Sequence, residues 1–216
     1  MVFSRKNAAF WLALCCAAAF GLIAWLVQAE NTAGFDSAVI GFVQSAESPE
    51  LTGAAKLLAI LGSSKGAIPL SLAAMALLFV VFKHRLELLL FLWVGVGSNL
   101  INVILKERFV RERPNIHRIM EEIGYSFPSG HSMAAVSLYG VLAFLLWRHI
   151  PSAAGRTVLI IAAVFMILVM GWSRIYLGVH YPSDVVAGYA ASAAWLTFSI
   201  GLFERFRRSR PGQREM

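Results

Sequence analysis

Three short clusters in the second half of the chain place cations, histidines and a carboxylate beside long apolar stretches. In the first cluster, Lys106 and Arg113 are seven residues apart. On a helix this spacing is two turns, or about 10 Å along one face, and Pro114 is expected to end that helix. The planar guanidinium of an arginine binds two oxygens of an anion at once. The cluster therefore predicts an anion clamp, with a group of charges that reach towards the membrane interface as the alternative.

The second cluster is Phe127-Pro128-Ser129-Gly130-His131, directly before an apolar stretch. Ser129 is expected to cap the following helix, and Gly130 would let a ligand approach the backbone. The free N–H groups at a helix start attract anions, and His131 lies in that first turn. This pattern is typical of an anion site served by a histidine, although a plain helix start with an incidental histidine fits it as well.

The third cluster, residues 173–184, contains Arg174, His180 and Asp184. Ionisable residues near a membrane are costly to bury and are usually functional. His180 and Asp184 are four residues apart, so a helical turn would bring them together. A carboxylate on one imidazole nitrogen fixes the tautomer and leaves the other nitrogen free to attack an electrophile. The cluster thus predicts a nucleophilic histidine.

The rest of the chain must supply the elements that position these clusters. Of its 216 residues, 58% are hydrophobic and only 14% are charged, against about a quarter in a typical soluble domain. A spanning helix needs about 20 mostly apolar residues. Six stretches lack Asp, Glu, Lys and Arg over comparable lengths: 7–29, 66–82, 88–105, 123–147, 157–173 and 185–203. We expect an all-α polytopic membrane protein with six transmembrane helices, a short interfacial helix at 51–61 in the first outer loop, and a single domain over residues 1–216.

The first apolar stretch could instead be a secretory signal, because Arg5 and Lys6 precede it and Val27-Gln28-Ala29 resembles a cleavage site. Its apolar core is longer than the 7–15 residues usual for a signal, which favours a retained helix. Cys15 and Cys16 lie within this stretch and are the only cysteines, so neither a disulfide framework nor a cysteine metal site is expected.

The distribution of charge predicts the orientation in the membrane. The net charge is +7, but the basic residues gather at helix ends rather than alternating with aromatic residues, which argues against a nucleic-acid partner. Eleven Lys and Arg fall on one predicted side: Arg5, Lys6, Lys83, Arg85, Arg148, Arg156, Arg205, Arg207, Arg208, Arg210 and Arg214. Eight fall on the other: Lys56, Lys65, Lys106, Arg108, Arg111, Arg113, Arg118 and Arg174. The positive-inside rule then places both termini in the cytoplasm and all three clusters together on the extracytoplasmic face.

Taken together, the clusters resemble the signature of the type 2 phosphatidic acid phosphatase (PAP2) family, and within it the small bacterial phosphatidylglycerophosphate and undecaprenyl-diphosphate phosphatases. That signature is Lys, six residues and Arg-Pro; Pro-Ser-Gly-His; and Ser-Arg, five residues, His, three residues and Asp. All three parts are present without a gap between residues 106 and 184. The resemblance implies a metal-independent lipid phosphatase, without a cofactor, in a cell membrane.

The resemblance also implies a role for each matched residue. His180 would be the nucleophile that forms a phosphohistidine, Asp184 would orient it, and His131 would protonate the leaving oxygen and then activate water. The phosphoryl oxygens would be bound by Lys106, Arg113, Ser129, Gly130 and Arg174. The implied partners are the bilayer and a lipid phosphate, namely phosphatidylglycerophosphate, undecaprenyl diphosphate or, less favoured, phosphatidate; no obligatory protein partner is evident.

Other functions share part of this pattern. Vanadate-dependent haloperoxidases resemble the family in their motifs, but their chains are long and soluble. A lipid phosphotransferase would use every one of these catalytic residues and differ only in the second acceptor. A non-catalytic carrier of lipid phosphates would keep the cations but has no need of both His131 and His180. The remaining histidines match no motif and are interpreted as interfacial: His84, His117 and His149.

Overall fold

The computed structural model describes residues 7–82 and 85–209, which form eight α-helices and, within those ranges, no strand. The all-helical prediction is therefore confirmed. The helices are α1 (Ala8–Gln28), α2 (Ala33–Gln44), α3 (Pro49–Gly62), α4 (Ser64–Phe82), α5 (Arg85–Phe109), α6 (Gly130–Trp147), α7 (Ala153–Tyr176) and α8 (Pro182–Arg208). Six residues that were used in the predictions from the sequence lie outside the described ranges: Arg5, Lys6, Lys83, His84, Arg210 and Arg214.

The number of membrane crossings follows from the length and composition of these helices. Within the described ranges, five helices are long and apolar enough to cross a membrane: α1, α5, α6, α7 and α8. A sixth crossing is obtained if α3 and α4, which are bent by 60° at their junction, form one broken span. The structure thus supports a polytopic membrane protein with five or six spans.

The first outer loop is more helical than expected. The helix expected at 51–61 is present within α3, where Ser48 caps the first turn by accepting a hydrogen bond from the Leu51 amide. The preceding helix α2 was not predicted, because its hydrophobic residues are interrupted by Asp36 and by glycines. Both helices contact α7, so this loop covers one end of the bundle.

The fourth predicted span began too early. The charge-free stretch starts at residue 123, but α6 begins at Gly130, and residues 110–129 form an irregular segment between α5 and α6, called the outer segment after its predicted side of the membrane. The absence of charge in residues 126–129 reflects burial in that segment, where Ser126, Phe127 and Ser129 are fully buried, whereas Ile123 is exposed.

Helix α6 lies at the centre of the bundle, in contact with α5, α7 and α8, while α1 packs along α8. A chain of buried hydroxyls joins three of these helices. Ser192 of α8 lies 2.8 Å from Ser137 of α6 and 3.3 Å from Ser98 of α5, and its hydroxyl donates to the Met133 carbonyl at 2.9 Å. Small and hydroxyl side chains are typical of contacts between membrane helices, because they permit close approach and satisfy polar groups away from water.

Candidate active site

The candidate site is built from helix ends that meet at one end of the bundle. The C-terminal ends of α5 and α7 carry Lys106 and Arg174, and the N-terminal ends of α6 and α8 carry His131 and Asp184. Successive antiparallel helices bring these ends together. All eight predicted site residues therefore lie near one another at this end, on helix termini or on the segments that join them: Lys106, Arg113, Ser129, Gly130, His131, Arg174, His180 and Asp184.

His180 lies immediately before α8 and is almost completely buried. Its Nε2 is 3.2 Å from Nη1 of Arg113. Because a guanidinium can only donate, this nitrogen holds the lone pair. The other nitrogen, Nδ1, then carries the proton and faces Asp184 Oδ2 at 3.5 Å and Ser126 Oγ at 3.3 Å. Burial lowers the pKa of His180 to about 3 in spite of Asp184, so the imidazole is neutral near pH 7.

Asp184 is held by several donors as well as facing His180. Its Oδ2 accepts hydrogen bonds from the Tyr181 amide at 2.9 Å and from the Ser126 hydroxyl, and its Oδ1 accepts one from Arg111 at 2.5 Å. The predicted proximity of His180 and Asp184 is confirmed. The contact with the Tyr181 amide also makes Asp184 part of the cap that begins α8.

Arg113 contacts His180 from an irregular segment and not, as the sequence had predicted, from helix α5. The expectation that Lys106 and Arg113 share one helix is wrong, because α5 ends at Phe109 and Val110 takes the left-handed conformation with φ 49°. Arg113 instead belongs to the irregular outer segment, where its guanidinium donates to the carbonyls of Gly124, Val179 and Ile123. Burial lowers the pKa of Arg113, but its guanidinium remains a cation in a protein.

Arg174 is a fully buried cation with unused donors. One of its amino groups forms an ion pair with Glu122, whose other oxygen lies 3.6 Å from Arg113. Its Nε and Nη1 have no hydrogen-bond partner among the described residues. A buried donor without a partner costs about 1–3 kcal/mol, and a charged one costs more. An additional anion would satisfy these two donors.

Helix α6 contributes the second histidine and the predicted cap. Ser129 accepts a hydrogen bond from the Ser132 amide at 3.4 Å, which confirms its predicted position as the N-cap. His131 Nε2 lies 3.0 Å from the Ala59 carbonyl of α3. A carbonyl only accepts, so this nitrogen carries a proton and Nδ1 remains for a reacting group.

A cavity of about 760 Å³ connects these groups with the interior of the bundle. At its polar end it is lined by Lys106, Arg113, Gly130, His131 and His180. It then extends between α4, α5 and α6 to apolar residues such as Phe91 and Val141. Among the described residues, no group of three or more His, Cys, Asp or Glu side chains could hold a metal ion.

Four contributors to this site were not singled out from the sequence. Arg111 of the outer segment forms ion pairs with both Asp184 and Asp36 of α2. Ser126 lies between Asp184 and His180, and Glu122 pairs with Arg174. The clearest available signal was Asp36, a carboxylate within an otherwise apolar helix. Among the histidines interpreted as interfacial, His117 is exposed and forms a 2.8 Å ion pair with Glu47.

Together these observations define a membrane-embedded helical protein whose site combines two histidines with several buried cations. The chain belongs to the PAP2 superfamily, because residues 87–208 match the model of that family. It is 39% identical over 152 residues to phosphatidylglycerophosphatase B of Bacillus subtilis (strain 168), an alignment that covers 69% of this chain and 74% of the relative. It is also 28% identical over 140 residues to a lipid A 1-phosphatase of Rhizobium johnstonii, covering 57% of this chain but only 53% of that relative.

The solved structures agree with this assignment. A crystal structure described as the first transmembrane PAP2-type phosphatidylglycerolphosphate phosphatase from Bacillus subtilis superimposes with a TM-score of 0.85. The superposition covers 93% of this chain and 100% of that one, at 29% sequence identity. The similarity therefore extends beyond the residues that match the family model.

Proposed function

We propose that this protein is an integral membrane lipid phosphatase that removes a terminal phosphate through a covalent phosphohistidine on His180. The observation that carries the proposal is the state of His180: it is buried and neutral, with Nδ1 directed to Asp184 and the lone pair of Nε2 beside Arg113. A neutral imidazole oriented by a carboxylate is an activated nucleophile.

The proposed reaction has two steps. In the first, Nε2 of His180 attacks the phosphorus, a P–N bond forms, and the bond from phosphorus to the leaving oxygen breaks as His131 donates a proton to that oxygen. In the second, His131 accepts a proton from water, the resulting hydroxide attacks phosphorus, and the P–N bond breaks to release inorganic phosphate. The Ala59 carbonyl accepts a hydrogen bond from Nε2 of His131 and so leaves Nδ1 for the proton exchange in both steps.

The charge that develops on the phosphoryl oxygens would be stabilised by Lys106, Arg113 and Arg174, with the Ser129 hydroxyl and the Gly130 amide completing the set. Preorganised donors in a site shielded from water are a large source of transition-state stabilisation. The unused donors of Arg174 support this role. Because these cations carry the charge, the proposed reaction needs neither a metal ion nor a cofactor.

We propose phosphatidylglycerophosphate as the preferred substrate, since the curated relative and the solved structure from Bacillus subtilis are both named for that activity. Undecaprenyl diphosphate is the second candidate and phosphatidate the third, because the cationic site recognises the terminal phosphoryl group that all three possess. The extension of the cavity to Phe91 and Val141 supports a lipid over a soluble ester, since it offers apolar surface beyond the phosphate. The same proposal places both termini in the cytoplasm and the site at the outer headgroup level, in a single domain over residues 1–216.

The test is phosphate release by the purified full chain in mixed micelles of detergent and phosphatidylglycerophosphate. We expect His180→Ala to lower the rate on the order of 10⁴-fold or more, because residues that act as one catalytic unit fail together. His131→Ala should be comparably slow with lipid substrates but should accumulate phosphoenzyme when the leaving group needs no proton.

The matched control is His117→Ala, which removes an exposed histidine of the same outer segment. It should retain the wild-type rate. Near-normal hydrolysis by purified, folded His180→Ala would contradict the proposed nucleophile.

A further inference from the structure

Arg111 lies between two buried carboxylates. Its Nη1 donates to Asp184 Oδ1 at 2.5 Å and to the Ser183 hydroxyl at 2.8 Å, while its Nη2 donates to Asp36 Oδ2 at 2.9 Å. The guanidinium also lies over the ring of Tyr181, 4.0 Å from its centroid. Asp36 and Asp184 are almost inaccessible to solvent, and Arg111 is largely buried. The guanidinium of Arg111 neutralises both Asp36 and Asp184. Without it these buried carboxylates would be unpaired, which is strongly unfavourable.

The two oxygens of Asp184 have separate partners. Oδ1 binds Arg111, whereas Oδ2 binds the Tyr181 amide and the Ser126 hydroxyl and faces His180 Nδ1. Contacts at both oxygens fix the plane of the carboxylate. Loss of the contact at Oδ1 would let that plane rotate and so change the partner that His180 meets.

Asp36 anchors Arg111 from a different part of the chain. Besides the ion pair, it accepts hydrogen bonds from the Ser183 amide at 2.9 Å and the Ser183 hydroxyl at 2.7 Å. Ser183 lies in the first turn of α8, directly before Asp184. Helix α2 of the first outer loop is therefore tied to the helix start that carries the proposed catalytic carboxylate.

Both amino groups of Arg111 are occupied by Asp184, Ser183 and Asp36. Arg174, by contrast, has two nitrogens without a partner among the described residues. Among the described residues, those that line the cavity include Arg113 and Lys106 but not Arg111 or Asp36. The two neighbouring arginines thus differ in direction: Arg113 points to Nε2 of His180 and the cavity, and Arg111 points to the far side of Asp184. Substitution of Arg111 is therefore expected to change kcat, whereas substitution of Arg113 is expected to change KM.

We propose that Arg111, anchored by Asp36, is a positioning residue that holds Asp184 in the orientation and charge state that His180 needs. The role rests on the proposed function of His180 as the nucleophile. A carboxylate stabilises the positive charge that the imidazole gains when its nitrogen bonds to phosphorus, and Arg111 keeps that carboxylate ionised and aligned. The contribution is confined to the chemical step, since Arg111 does not touch the phosphate.

The experiment compares kcat and KM of purified full-length variants on phosphatidylglycerophosphate in mixed micelles. Arg111→Gln should lower kcat about 10–100-fold, the usual effect of removing a group that orients a catalytic residue. Its KM should stay within about twofold of wild type, since substrate contacts are intact. Arg113→Gln, by contrast, should raise KM. Arg111→Lys should recover part of kcat, because it restores the charge but not the two-pronged contact.

Asp36→Asn provides a second route to the same interaction and does not remove the cation. It should lower kcat with the same unchanged KM, and it should have little further effect in the Arg111→Gln background, because both substitutions break one network. The matched control is Arg108→Gln, an exposed arginine three residues away, which should leave kcat and KM as in wild type. Size-exclusion profiles of all variants establish that they are folded.

Unchanged kcat in Arg111→Gln, or a rise in KM like that of Arg113→Gln, would overturn the positioning role. Fully additive effects of Asp36→Asn and Arg111→Gln would overturn the anchoring by Asp36. If His180→Ala still hydrolysed the lipid, the proposed nucleophile itself would be wrong. Loss of activity in His180→Ala together with full kcat in Arg111→Gln would reject only the positioning of Asp184 by Arg111.

Discussion

At the scale of a single residue, burial sets the charge state of His180, the proposed nucleophile. Its ring has lost contact with water, and burial lowers its pKa to about 3, so a proton does not compete for Nε2 at neutral pH. Nη1 of Arg113 lies next to that lone pair, 3.2 Å from Nε2. A phosphoryl oxygen bound by Arg113 would bring phosphorus to the same nitrogen.

The lowered pKa of His180 predicts a dependence of stability on pH. The unfolded chain binds a proton on this histidine below pH 6.5, whereas the folded chain does so only near pH 3. Between these values acid favours the unfolded state, by at most about 1.4 kcal/mol per pH unit. His180→Asn removes this proton difference. The melting temperature of the variant in detergent should therefore fall less than that of wild type between pH 7 and pH 4.5.

The control for this measurement is Asn115→Ala, which changes an exposed residue without an ionisable side chain. Its melting temperature should show the wild-type response to acid. An identical response in wild type and His180→Asn would mean that His180 is protonated equally in the folded and unfolded states, in conflict with its burial.

Motifs along the chain were sufficient to point to residues that the structure places close together, namely His131, His180, Asp184 and the cations, because their spacing is local. The catalytic and binding roles of these residues stay predictions. Such motifs do not identify the partners of these residues that come from distant parts of the chain. Asp36 meets Arg111 across 75 residues of sequence and Ser183 across 147, and no local pattern records such a pairing. Arg111 differs from its neighbour Arg113 only in the direction of its side chain, which depends on the end of α5 at Phe109.

At the scale of elements, the short connection between α7 and α8 determines where His180 stands. Gly178 takes the left-handed conformation with φ 71°, and a Cβ there would lie 2.0 Å from the backbone carbonyl oxygen of His117. The neighbouring Leu177 carbonyl accepts a hydrogen bond from the Ile119 amide at 3.0 Å. The connection therefore rests directly on the outer segment that carries Arg113.

Gly178→Ala should disturb both segments, because the clash is with backbone and the required φ disfavours a side chain. We expect a loss of stability of about 1–3 kcal/mol. Displacement of His180, two residues away, should also reduce kcat/KM by about 100-fold if the nucleophile moves by 1 Å. Thermal unfolding and phosphate release of the purified variant measure the two effects.

Gly53→Ala is the control, since Gly53 lies in α3 and a Cβ there would meet nothing within 4 Å. Alanine favours a helix over glycine by up to about 1 kcal/mol, so this variant should be at least as stable as wild type. Equal activity and stability of Gly178→Ala and wild type would show that the connection tolerates a side chain and does not fix His180.

Apolar length predicted the spanning elements well because lipid imposes the same requirement on every span. It did not predict where irregular segments begin. Residues 123–129 lack charge, yet they do not enter a helix; residues 126–129 are buried beside the site, and Ser129 is the N-cap of α6. Helix α2 escaped detection because Asp36, which interrupts its apolar pattern, is satisfied by Arg111 and Ser183 and not by water.

At the scale of the whole molecule, the distribution of burial matches a bundle surrounded by lipid. Helix α6 is the central element, whereas the apolar side chains of α7 largely face outward, Phe165 and Leu168 among them. Helix α7 has 24 residues, which corresponds to about 36 Å and exceeds the roughly 30 Å of hydrocarbon in a bilayer. Its two ends must therefore reach opposite surfaces of the membrane.

Labelling of single cysteines can establish which of these two membrane surfaces carries the site. Asn115 lies in the outer segment near Arg113, and Ala153 begins α7 at the other end of the bundle; both are exposed. Single cysteines at these positions, in a chain with Cys15→Ala and Cys16→Ala, can be labelled by a membrane-impermeant maleimide. The excess of Lys and Arg on the side of Ala153 predicts that Asn115→Cys labels in intact spheroplasts and Ala153→Cys only after permeabilisation. A site in the outer leaflet would then receive lipid phosphates whose tails remain in the bilayer. The opposite labelling pattern would place the site at the cytoplasmic face, and the proposed extracytoplasmic role would be wrong even if hydrolysis by His180 were correct.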